Sequence, residues 1–64
     1  MPSILIEFAE EIFDYGISDE GFELLKKVLK ESHYEVIDGA VTKINDSWYI
    51  DKTPWYRDIS KQEQ

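Results

Sequence analysis

The residues best placed to do chemistry are carboxylates. Glu7, Glu10, Glu11 and Asp14 recur at i, i+3, i+4 and i+7, which puts all of them on one face of a helix. Carboxylates held that way can act in three ways: as an acid–base pair, as a loose seat for a divalent cation, or as a negative field aimed at a basic partner. The first needs a cleft that splits two pKa values, and a chain of 64 residues has little room for one. The second lacks a calcium-type loop or a histidine pair. The third needs only the spacing. Asp19, Glu20 and Glu23 extend the series, and residues 1–23 contain no Lys or Arg at all. The formal charge of −7 therefore belongs to that segment, and residues 24–64 balance.

Other chemistry finds little support. His33 is the sole histidine, and it stands at an expected helix C-terminus. Ser32 beside it gives no triad geometry. With no cysteine there is no disulfide, thiolate site or thiol nucleophile. No glycine-rich phosphate loop is present. The residues name no catalytic set, no cofactor and no metal.

The elements that position the carboxylates are legible. Residues 3–15 read as an amphipathic helix capped by Ser3, with Leu5, Phe8, Ala9, Ile12 and Phe13 as its apolar stripe and Ile4 and Ile6 at the margins. Gly16 fits a left-handed C′ position, from which Ile17 would fold back on Ile12. Ser18 caps a second helix over about 19–32, with Asp19 and Glu20 in its first turn. Ile17 and Phe22 have the spacing of a hydrophobic staple. Phe22, Leu24, Leu25, Val28 and Leu29 form the expected buried face, with Lys26, Lys27 and Lys30 opposite and Glu23 able to pair with Lys27.

The pattern then turns to period two. Strands are expected at 34–37, 40–44 and 47–50, joined by two-residue turns at Asp38-Gly39 and Asn45-Asp46. That register pairs Ile37 with Ala40 and Ile44 with Ser47. It puts Val36, Val41 and Ile50 on one face with Tyr34, Lys43 and Trp48, and Glu35, Thr42, Tyr49 and Asp51 on the other. Thr53-Pro54 reads as a cap and first position of a short C-terminal helical turn, and residues 60–64 as a frayed tail. The expected fold is one α+β domain over 1–64: a two-helix hairpin packed on a three-stranded antiparallel β-meander.

Ile12, Gly16, Ile17-Ser18, Phe22 and Leu25 fall at spacings that resemble the helix-turn-helix motif, over about residues 8–29; with a hairpin behind, the pattern also resembles a truncated winged helix. Ile12 departs from the alanine usual there. The resemblance implies a DNA-binding or transcription accessory protein. The helix it would offer to DNA, however, presents Ser18, Asp19, Glu20 and Glu23, the wrong charges for phosphate.

Aromatics crowd the C-terminal half. Trp48 is expected in the core; Tyr49, Trp55 and Tyr56 are candidates for partner contact. The acidic balance argues against direct nucleic-acid binding and against anionic membranes. No run of residues is long and apolar enough for a span, and the start lacks a basic signal-peptide region, so a cytoplasmic protein is expected. Together these features lead to a non-enzymatic acidic interaction module. Its partner is expected to be a basic protein, one that handles nucleic acid, inhibited in the manner of a DNA mimic or a phage anti-restriction or anti-CRISPR product. A small assembly protein acting as a homo-oligomer is the remaining alternative, so the chain is expected as a monomer or a homodimer. Glu7, Glu10, Glu11, Asp14, Asp19, Glu20, Glu23, Tyr49, Trp55 and Tyr56 are the contact residues this reading names.

Overall fold

A computed structural model describes residues 3–61. The elements run α1 (Ile4–Tyr15), α2 (Asp19–Glu31), β1 (Tyr34–Val36), β2 (Val41–Ile44), β3 (Ser47–Ile50) and β4 (Tyr56–Asp58). The class is α+β, but the strands form two separate two-stranded sheets, β1–β4 and β2–β3, both antiparallel.

Both helix starts follow their cap residues. The Leu5 N–H donates to Ser3 Oγ and the Gly21 N–H to Ser18 Oγ, each at 3.1 Å, satisfying donors that a helix N-terminus otherwise orphans. The end of α1 differs from expectation. Gly16 has φ +87° but ψ 138°, so the chain leaves the helix extended rather than curling into a left-handed cap. Ile17 then pairs with Trp48, each N–H donating to the other's carbonyl, at 3.2 and 2.7 Å. The inter-helix turn thereby lies along the open edge of β3. His33, φ 68°, is a second positive-φ residue directly after a helix, at the end of α2.

The β2–β3 hairpin has the expected register, Val41 opposite Ile50 and Ile44 opposite Ser47. Asn45 and Asp46 both have positive φ, 51° and 70°, the signature of a type I′ turn. The Asp38-Gly39 turn does not form that way. Of that pair only Gly39 has a positive φ, 87°, and the Ala40 N–H donates to the Ile37 carbonyl at 3.0 Å without a ladder beyond it.

β1 therefore does not join a meander. It pairs with β4, Val36 opposite Tyr56 and Tyr34 opposite Asp58, and the Ile37 N–H donates to the Trp55 carbonyl at 2.9 Å. The segment after Pro54, expected as a helical turn, is this strand. Its pairing carries Trp55 into the core, where the side chain is 0% exposed. An aromatic of that size removes about 150–250 Å² from water, which a surface turn at the same place would forgo. Of the expected tail, Ser60 and Lys61 form a turn, and 62–64 lie outside the described residues.

The core is a chain of rings. Trp48 stacks on Phe22 with centroids 4.4 Å apart, and Phe22 meets Phe13 edge-on at 6.0 Å. Phe13 meets Trp55 at 5.2 Å, Trp55 meets Tyr56 at 5.1 Å, and Tyr56 meets Tyr34 at 5.6 Å. Ile6, Ala9, Leu25, Leu29 and Ala40 close around them. Val36, Val41 and Ile50 pack against this core as expected.

The two helices meet through the edge-on contact of Phe13 with Phe22. The main backbone approaches of α1 are to β3 and those of α2 are to β1 and β3, not to each other. Each helix consequently buries a narrower face than its apolar pattern suggests. In α1 the buried residues are Ile6, Ala9 and Phe13, and in α2 they are Phe22, Leu25 and Leu29. Ile6 moves from the margin to the centre, whereas Phe8, Leu24 and Val28 leave the core at 59%, 63% and 39% exposure.

Candidate functional site

The acidic residues divide into those the fold employs and those it leaves to solvent. Glu10 belongs to the first group: its Oε2 accepts the indole N–H of Trp55 at 3.0 Å. So does Asp19, whose Oδ2 meets Lys43 Nζ at 2.9 Å and whose Oδ1 accepts from Trp48 Nε1 at 2.8 Å. Lys43 and Trp48 are cross-strand neighbours, so one carboxylate ties the start of α2 to both strands of the hairpin. These bonds hold the Asp19 carboxyl below its ordinary range and raise Lys43. Glu23 pairs with Lys26 at 3.1 Å rather than with Lys27, and the Lys26 ammonium also sits 4.6 Å from the Phe22 ring centre.

Glu7, Glu11 and Asp14 make up the second group, with Glu20 on α2. All are exposed, and none of their side chains has a hydrogen bond or ion pair among the described residues. Glu7, Glu11 and Asp14 follow one another at i, i+4 and i+7 along α1, the unbroken part of the expected acidic face.

The aromatic candidates are largely structural. Trp55 is buried and is removed from any contact surface. Tyr49 is half-buried, with its ring against Gly16, where a Cβ would come within 2.8 Å of the hydroxyl. Tyr56 is half-buried between Trp55 and Tyr34.

A second surface lies where α1 and α2 face each other. A groove of about 280 Å³ runs between them, walled by Leu5, Phe8 and Ile12 on one side and Leu24 and Val28 on the other, with Ile17 across its end. Gly21 keeps the floor open: a Cβ there would stand 2.7 Å from Ile17 Cγ1. The groove carries no titratable side chain, so it offers apolar contact and no acid, base or nucleophile. Sequence reasoning assigned its walls to the core. The signal that separates them is arc width. At about 100° per residue, the apolar positions of α1 from Ile4 round to Ile6 span roughly 200°, more than one packed face occupies. A shallow acidic notch adjoins the groove, lined by Ile4, Glu7, Phe8 and Glu11.

Among the described residues no helix is long and apolar enough to cross a membrane, and no cluster of His, Cys, Asp and Glu is arranged to hold a metal ion. Comparison of the chain with protein-family models, with curated proteins and with solved structures finds no match.

Proposed function

We propose that this chain is a non-enzymatic interaction module whose acidic helix face binds the basic surface of another protein. The observation that carries the reading is the row Glu7, Glu11 and Asp14. These carboxylates stand at fixed helical spacing, and no cation among the described residues forms an ion pair with them. Like charges at i, i+4 cost a helix a few tenths of a kcal/mol, a cost that a basic partner would reverse. A protein that handles nucleic acid offers such a surface, because its groove is built to neutralise phosphates. Occupying that groove would inhibit it as a DNA mimic does, the phage anti-restriction or anti-CRISPR mode of action.

The test is capture from a cell lysate on the immobilised chain, eluted by a salt step, with a Glu7→Lys, Glu11→Lys, Asp14→Lys variant in parallel. Basic proteins should be retained by the parent chain, leave at moderate salt and be absent from the variant. Identical retention by both chains would refute the reading.

A further inference from the structure

We propose that the groove between α1 and α2 is the seat of an amphipathic α-helix from a protein partner, with Lys or Arg along the borders of its apolar stripe. This rests on the acidic-module reading above and names the element of the partner that the module takes.

Phe8, Leu24 and Val28 are large, apolar and exposed, and they face one another rather than lying scattered. A contiguous apolar patch of this kind marks a contact surface more often than isolated exposed residues do. Its walls recur with helical period, Leu5, Phe8 and Ile12 at i, i+3 and i+7 and Leu24 and Val28 at i and i+4. A helix laid between them offers ridges of the same spacing. The 12 residues of α1 extend about 18 Å, enough for roughly three turns of a bound helix.

Charge selects the occupant. On the α1 side Glu7 and Glu11 flank Phe8 in the adjoining notch. On the α2 side Glu20 lies one turn before Leu24, and Glu31 lies three residues beyond Val28. Against these four acids α2 sets one base at comparable spacing, Lys27, three residues beyond Leu24. A second copy of the chain would set one acidic rim against another, which like-charge repulsion disfavours. A helix bearing Lys or Arg beside its apolar stripe meets the opposite sign on both sides. The more uniformly acidic α1 rim would set which edge of that helix is the more basic.

The test uses the full chain and synthetic helical peptides of about 14 residues, close to four turns. The reference peptide carries Leu at i, i+3, i+4 and i+7 with Lys at the flanking positions. One control keeps every Lys and replaces each Leu with Gln; another keeps every Leu and replaces each Lys with Glu. Binding is followed by fluorescence anisotropy and by amide chemical shifts. The reference peptide should saturate, move the amides around Phe8, Ile12, Leu24 and Val28, and bind at least tenfold more tightly than either control. Leu24→Ser and Phe8→Ser should each weaken it at least tenfold without changing the thermal midpoint. If the Gln control binds as tightly as the reference, the groove proposal falls while the acidic-surface reading stands. If the Glu control binds as tightly, the basic partner falls in both. Sedimentation that finds a dimer dispersed by Leu24→Ser would give the groove to a second copy and overturn the proposal.

Discussion

Trp55 Nε1 donates to Glu10 Oε2 at 3.0 Å, across 45 residues of sequence. The indole is fully buried apart from this polar atom's partner, so a residue of the acidic face doubles as a fastener between α1 and the C-terminal strand. Glu10 is thereby distinct from Glu7 and Glu11, its neighbours on the same helix.

Glu10→Ala should therefore destabilise the fold by about 1–2 kcal/mol, the usual cost of leaving a buried donor without its acceptor. Glu10→Gln keeps an oxygen acceptor and should lose less. Glu7→Ala and Glu11→Ala should fall within about 0.5 kcal/mol of the parent. Urea unfolding of the four variants ranks them; equal losses at Glu10 and Glu7 would contradict the bond's role.

The divided acidic face also shows what a sequence can convey. Ser3 and Ser18 announced their helices because capping is local, and the Val41 to Ile50 register followed from alternation and turn length alone. The β1–β4 pairing was not legible. It depends on a competition between the segment at 40–44 and the distant one at 56–58, and no local pattern ranks those partners. The Thr53-Pro54 pair, a valid helix start by composition, concealed the strand. The groove was concealed for a different reason: periodicity gives the apolar arc of a helix but not which half of it a sheet will cover.

That half is open to direct measurement. Leu25 and Leu24 are adjacent in sequence, yet the first is buried and the second is mostly exposed. Leu25→Ala should cost about 2–4 kcal/mol, the range for a core leucine, and Leu24→Ala well under 1 kcal/mol. Thermal unfolding of both variants checks the pair, and a reversed order would place the wrong face of α2 against the sheets.

Gly16 should resist substitution for two separate reasons. Its φ of +87° is one that side chains rarely adopt, and a Cβ would stand 2.8 Å from Tyr49 Oη. Gly16→Ala should cost about 1–3 kcal/mol. Adding Tyr49→Ala removes the collision but not the backbone conformation, so the double variant should show less loss than the sum of the single ones. A double-mutant cycle in denaturant measures the coupling; strict additivity would mean that the ring and the glycine do not meet.

The Asp19 bridge gives stability a defined pH window. Its carboxyl is held low by the bonds from Lys43 and Trp48. The contribution is therefore complete above the unfolded aspartate value of about 3.9 and disappears as pH falls through the lower folded value. Lys43 is raised by the same carboxylate, so its share is complete below the unfolded lysine value of about 10.4 and disappears as pH rises through the higher folded one. Between those limits the bridge contributes evenly. The Trp48 indole proton is the reporter, because it is bonded to the other oxygen of Asp19. Its NMR shift should titrate below the ordinary aspartate midpoint and become flat in Asp19→Asn. A midpoint at the ordinary value would mean that the carboxylate is free in solution, and with it the hold of α2 on both strands of the hairpin.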